Sequence, residues 1–148
     1  MLLRLTKRFT FEMAHALPNY AGKCHNLHGH SYKLYVTVEG MPHTAAGHAT
    51  DGMLIDFGDI KQLVQQHIID TFDHALVLPL PKDGTSTPPP TDNLGGFAAR
   101  IIWVPFAPTT ENLLIHFSSL LSNALPPTTR LHSLKLYETE NSCAELIV

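Results

Sequence analysis

Apolar residues recur at period two from Leu3 to Met13, with Lys7 the one interruption. Leu3, Leu5, Phe9, Phe11 and Met13 hold one parity, while Arg4, Thr6, Arg8, Thr10 and Glu12 fill the other. Period two over this length predicts a half-buried strand, and His15 continues its apolar parity. From Tyr32 to Glu39 the alternation returns. Tyr32, Leu34, Val36 and Val38 face one way, and Lys33, Thr37 and Glu39 the other. His28 and His30 share the parity of Tyr32 and Leu34. If both strands run unbroken, His15, His28 and His30 lie on the buried face of one hairpin.

The period then changes. Ile60, Leu63, Val64, Ile68 and Phe72 make a helical stripe, with Asp56 as its candidate N-cap. Leu113, Leu114, Phe117, Leu120 and Leu121 make a second stripe, which begins near Thr109 or Thr110 and stops before Pro126-Pro127. Between the helices, residues 80–96 are rich in Pro, Gly, Thr and Asp and read as a loop. Pro88 to Pro90 exclude regular helix there. Residues 99–106 read as a short strand or extended segment, and residues 41–52 as a Gly/His/Pro-rich loop. Two more strands close the chain, Leu131 to Glu138 and Ala144 to Val148. Strand pairs flanking two helices, β-β-α-α-β-β with an inserted loop at about 80–107, predict an α+β fold. Its antiparallel sheet carries both helices on one face, in a single domain spanning 1–148.

Composition narrows the function. The chain has 148 residues, 44% of them apolar and 16% charged, which suits one globular core. A net charge of −3 gives no electrostatic case for a nucleic acid or an anionic membrane as partner. No apolar run is long enough to span a bilayer, and the start lacks the apolar core of a signal peptide, which points to the cytoplasm. In that compartment Cys24 and Cys143 stay reduced.

Ten histidines are many for this length. Three free imidazoles on a buried face are costly unless each finds a partner, and one metal ion satisfies all three. Three histidines with an open fourth position is the pattern of catalytic zinc. Cys24 lies close enough in sequence to close that position, or to act as a thiolate nucleophile or base. Asp73-His74 follows the first helix, where a loop can present an acid–base pair; a solvated pair at a helix end reads the same way. Glu138 shares the parity of Leu134 and Leu136. It either points into the buried side, where adjacent N–H donors of a ring edge suit a bidentate carboxylate, or ends the strand in solvent. Thr109, Thr110 and Glu111 read as an N-cap with an acid in the first turn, and ligand contact is compatible with that role.

These residues together resemble the 6-pyruvoyltetrahydropterin synthase superfamily, in particular its bacterial 6-carboxytetrahydropterin synthase branch of the queuosine pathway. The resemblance rests on Phe11-Glu12-x-Ala14-His15, Cys24-x-x-x-His28-Gly29-His30-Ser31-Tyr32, Leu54-Ile55-Asp56-Phe57, Asp73-His74, Pro108-Thr109-Thr110-Glu111-Asn112 and Tyr137-Glu138-Thr139. It implies a T-fold assembled into trimers and hexamers, with active sites between subunits. It implies zinc on His15, His28 and His30, Cys24 as the proton-abstracting thiol assisted by Asp73 and His74, and Glu138 as the pterin anchor with Thr109 and Thr110 nearby. The implied substrate is 7,8-dihydroneopterin triphosphate. Three residues between Cys24 and His28 favour the carboxy branch over the pyruvoyl enzymes of animals, whose spacer is longer. The segment 80–107 departs from the short bacterial members.

Overall fold

β1 (Leu3–His15) and β2 (His28–Gly40) pair antiparallel over their whole length, with Leu3 opposite Gly40 and His15 opposite His28. The computed structural model describes residues 1–81, 96 and 100–148. Alternation decides the faces. Phe11, Met13, Tyr32, Leu34, Val36 and Val38 are all buried, whereas Arg4, Thr6, Arg8, Thr10 and Glu12 are exposed. Lys7 interrupts the apolar parity without cost to the core, because its ammonium rests over the Phe57 ring, 5.5 Å from the centroid.

The first helix starts where its cap requires. Asp56 is extended and its carboxylate accepts the Gly58 amide, so α1 (Phe57–Val64) begins at the next residue. The helix continues through a π-helical turn (Gln65–Ile69) into the short α2 (Asp70–Phe72). The wider turn lets two consecutive residues, Ile68 and Ile69, both face the core. α3 (Thr110–Ala124) buries Leu113, Leu114, Phe117 and Leu121, the stripe expected of it. Its N-cap is Thr109, whose Oγ1 accepts the Asn112 amide at 3.3 Å. None of these helices is long and apolar enough to cross a membrane.

Among the described residues the sheet has six strands, in the order β4-β3-β1-β2-β5-β6. β5 (Thr129–Thr139) and β6 (Ser142–Ile147) form the closing hairpin, and β5 lies antiparallel to β2. Two strands stand between the helices. β3 (Ala75–Pro79) runs parallel to β1, and β4 (Ile101–Val104) runs parallel to β3. The sheet is thus antiparallel-rich rather than wholly antiparallel. β3 is parallel because β2 leaves the chain at the Leu3 end of β1 and the first helix carries it to the level of Glu12 and Met13, where β3 starts in the direction of β1. Its five residues are apolar without alternation, so periodicity does not reveal them. β4 falls within the extended segment expected at 99–106, and the triple proline Pro88 to Pro90 lies outside the described residues.

The open face of the sheet holds one departure from simple alternation. Glu39 belongs to the polar parity yet is only 4% exposed. Arg4 donates to its carboxylate at 3.0 Å, and Arg130 and His132 approach it as well. The Arg4 bond, with the charges of Arg130 and His132, outweighs burial and holds Glu39 below the usual carboxylate range.

Phe117 joins the two layers. It is fully buried and meets Phe11 and Phe72 edge-on, at centroid distances of 6.3 and 5.0 Å. Phe117→Ala is expected to cost about 3–5 kcal/mol in urea unfolding. A loss under about 1 kcal/mol would place this ring outside the core.

Candidate active site and metal centre

His15 and His28 face each other across the last rung of the β1–β2 ladder, and His30 sits diagonally across from His15 on the same face. Their ring centroids lie 4.6, 5.2 and 5.0 Å apart, and one ring nitrogen from each falls within 4.8 Å of the others. Among the described residues this is the one histidine, cysteine and carboxylate group with that spacing, and Cys24 lies outside it. The parity reading is what the strands deliver.

Tautomers decide what these nitrogens do. His15 Nδ1 lies 2.8 Å from the Pro108 carbonyl, and His28 Nδ1 lies 2.7 Å from the Asn26 carbonyl. A carbonyl only accepts, so each Nδ1 carries the proton and each Nε2 keeps its lone pair. Those two Nε2 atoms are 3.1 Å apart with no proton to share in the neutral pair. His30 Nε2 is buried and has no hydrogen-bond partner. Three lone pairs turned toward one point, two of them oriented by backbone carbonyls, fit a divalent cation with nitrogen preference.

Burial favours the neutral form of His15 and His30. It lowers the pKa of His15 against the opposing pull of the Pro108 carbonyl and Glu138, and it lowers His30 likewise. Glu138 completes the inner wall. Glu138 keeps the inward parity of Leu134 and Leu136, and the β5–β6 pairing shifts register there, between Tyr137 and Thr139. Its Oε1 lies 3.4 Å from both His15 Nε2 and His30 Nε2, and its side chain is 29% exposed. Of the two sequence readings for Glu138, the inward one describes its position.

Cys24 is half-buried in a 3-10 turn (Lys23–His25), while His25 is exposed. The Cys24 carbonyl accepts the Leu17 amide at 2.9 Å, which folds this turn over the end of β1, two residues past His15. A Cys24 thiolate is near enough to oppose ionisation of the Tyr32 hydroxyl, which burial and Glu138 already push up. Thr109, Thr110 and Glu111 open α3 directly after Pro108, so the helix start lies against the His15 imidazole. Thr110 is buried and Glu111 exposed.

Asp73 and His74 are elsewhere. The Asp73 carboxylate accepts the Glu12 amide at 2.9 Å, and the His74 amide donates to the Glu12 carbonyl at 2.6 Å. Glu12 is three residues before His15, roughly 10 Å along an extended strand. Asp73 Oδ1 and His74 Nδ1 are 3.0 Å apart, and the His74 side chain is 75% exposed. Burial raises Asp73, but the Glu12 amide and His74 outweigh it and hold the carboxyl below its usual range. The structure gathers His15, His28, His30 and Glu138 at one place, with the start of α3 beside His15, and sets this pair at the start of β3. Three contributors carry no side-chain signature in the sequence or a weak one. The Pro108 and Asn26 carbonyls are invisible to motif reading. The buried Tyr32 hydroxyl shares the parity of His28 and His30, which was the signal available.

Metal and protons compete for the same lone pairs. Zinc at about a hundredfold its Kd is expected to stabilise the metal-free protein by about 2.7 kcal/mol in thermal unfolding, and His15→Ala to abolish that gain. Without metal, stability falls as the pH drops through 6.5, because the unfolded histidines take up protons before the buried ones do. A stability independent of zinc in the unaltered protein rules out the site.

Comparison with known proteins agrees with this geometry. Residues 4–147 match the family model described as 6-pyruvoyl tetrahydropterin synthase. The chain is 34% identical to 6-carboxy-5,6,7,8-tetrahydropterin synthase of Haemophilus influenzae, over 97% of this chain and 98% of that protein. It is 35% identical to the protein of the same name from Rickettsia typhi, over 98% and 100%. The structure of Caenorhabditis elegans 6-pyruvoyl tetrahydropterin synthase superposes with a TM-score of 0.70 at 20% identity, covering 100% of this chain and 96% of that one. With a family match over nearly its whole length and relatives above 30% identity, this chain belongs to the 6-pyruvoyl tetrahydropterin synthase family.

Proposed function

We propose that this protein is a zinc-dependent lyase that converts 7,8-dihydroneopterin triphosphate and one water to 6-carboxy-5,6,7,8-tetrahydropterin, releasing acetaldehyde and triphosphate. The observation that carries this reading is the convergence of three histidine lone pairs beside Glu138, in a chain whose curated relatives bear that name. Zinc on His15, His28 and His30 supplies a Lewis acid for the oxygens of the substrate side chain. Glu138 accepts adjacent N–H donors of the pterin ring edge and fixes the ring against the metal site. Thr109, Thr110 and Glu111 line the same wall and bind the ring with it. Cys24, as thiolate, takes a proton from the substrate side chain.

His74, with Asp73 holding its Nδ1 side, exchanges a proton at the other end of the reaction. It does so in another subunit's site. Roughly 10 Å of strand separates the pair from the level of His15 in its own chain, and the imidazole faces outward. The protein therefore works as a homo-oligomer, a trimer or hexamer, with its active sites between subunits. The single-domain span 1–148 and its insertion at about 80–107 are part of this reading.

Three measurements test it. Cys24→Ala is expected to keep full zinc content while turnover falls by at least about a hundredfold; normal turnover in that variant removes the thiol as base. Acetaldehyde among the products of 7,8-dihydroneopterin triphosphate marks the carboxy reaction, and its absence with triphosphate released marks the pyruvoyl one. Oligomers reassembled from Cys24→Ala and His74→Ala chains are expected to regain activity that neither parent has. A mixture that stays inactive places the whole site within one chain.

A further inference from the structure

The Asp73–His74 turn lies between the end of α2 and the start of β3. His74 has φ 58°, the one positive value at a non-glycine residue among those described. Such a backbone persists in an L-residue only where its surroundings over-determine it. From the β1 side, Glu12 holds the turn through its amide and carbonyl. From the helix side, the last carbonyls of α2 have no partners within the helix, and a helix end left so would fray.

Arg100 closes that gap. Its guanidinium donates to the carbonyl of Asp70 and, at 3.1 Å, to that of Thr71. Its own carbonyl accepts the Leu76 amide at 2.9 Å. One residue is thus bonded to the chain two and three positions before Asp73 and two positions after His74. A cation at this place also matches the negative end of the helix dipole. After burial, the Glu12 amide and His74, the Arg100 charge is a further influence on the Asp73 carboxylate, and it favours the ionised form. Arg100 directly precedes β4, within the segment 80–107 that departs from the short bacterial members.

We infer that Arg100 is a positioning residue for the Asp73–His74 pair: it clamps the end of the first helix to the start of β3 and so holds His74 in its left-handed, outward-facing conformation. Arg100 is thereby tied to the reaction without touching substrate. This rests on the acid–base role proposed above for the pair. A plain helix cap, by contrast, would protect the fold and leave turnover alone.

Full-length Arg100→Ala, Arg100→Lys and His74→Ala proteins distinguish these cases. In Arg100→Ala, hydrogen exchange at the Asp73 and His74 amides is expected to rise about tenfold and kcat to fall about tenfold, with KM and zinc content within about twofold of the unaltered protein. Arg100→Lys, which keeps a cation at the helix end, is expected to restore most of both. Unchanged exchange at His74, or a kcat loss matched by uniformly faster exchange through the whole core, overturns the inference. His74→Ala with normal turnover defeats the acid–base reading separately, and the exchange result still decides the clamp.

Discussion

The unbroken register of β1 against β2 is the constraint on which the site depends. Thirteen residues pair without a bulge, from Leu3 against Gly40 to His15 against His28. A slip of one residue would send one strand's imidazoles to the solvent face and its apolar residues with them. Burial of Phe11, Met13, Tyr32 and Leu34 makes that slip expensive, so the hydrophobic core beneath the histidines also places the histidines. Core packing and ligand placement are consequences of one alternation, and neither can drift without the other.

What surrounds the triad converts proximity into a ligand set. Backbone carbonyls of Pro108 and Asn26 take the Nδ1 protons, which leaves the Nε2 lone pairs facing inward. One of these carbonyls comes from the residue before the α3 cap and the other from the turn before β2. The start of a helix and the entry to a strand are thereby tied to imidazole orientation. Glu138 arrives from another strand by the same alternation, in step with Leu134 and Leu136, and brings a carboxylate near the end of β5 to the same point. Burial keeps His15 and His30 in the neutral form that binds metal, and the nearby carboxylate only partly opposes it.

The Asp73–His74 pair obeys other rules. It is held beside β1 by Glu12, carries a left-handed residue, and exposes its imidazole to solvent. Strain of this kind belongs at places where geometry matters more than local stability. A conformation that needs support from β1, from the helix end and from the residue before β4 depends on the assembled sheet, since no short peptide supplies those partners together.

Much of this was legible in the chain. Period two gave the faces of β1 and β2 and hence the three histidines; period 3.6 and the caps Asp56 and Thr109 gave the helix starts. These features are local, because neighbouring residues carry the whole signal. Other features were not legible. β3 and its parallel pairing escape because five apolar residues have no alternation to read. The burial of Glu39 needs Arg4 and Arg130 from two other strands. The motif places Asp73-His74 in the same family signature as His15, His28 and His30, yet strand register sets the pair roughly 10 Å back along the sheet. Alternation and capping are written in adjacent residues and survive in the sequence alone. Register between distant strands, the tautomers fixed by backbone carbonyls and the meeting of Glu138 with His15 and His30 exist only once the sheet has closed, because each is a distance between parts of the chain that are far apart along it.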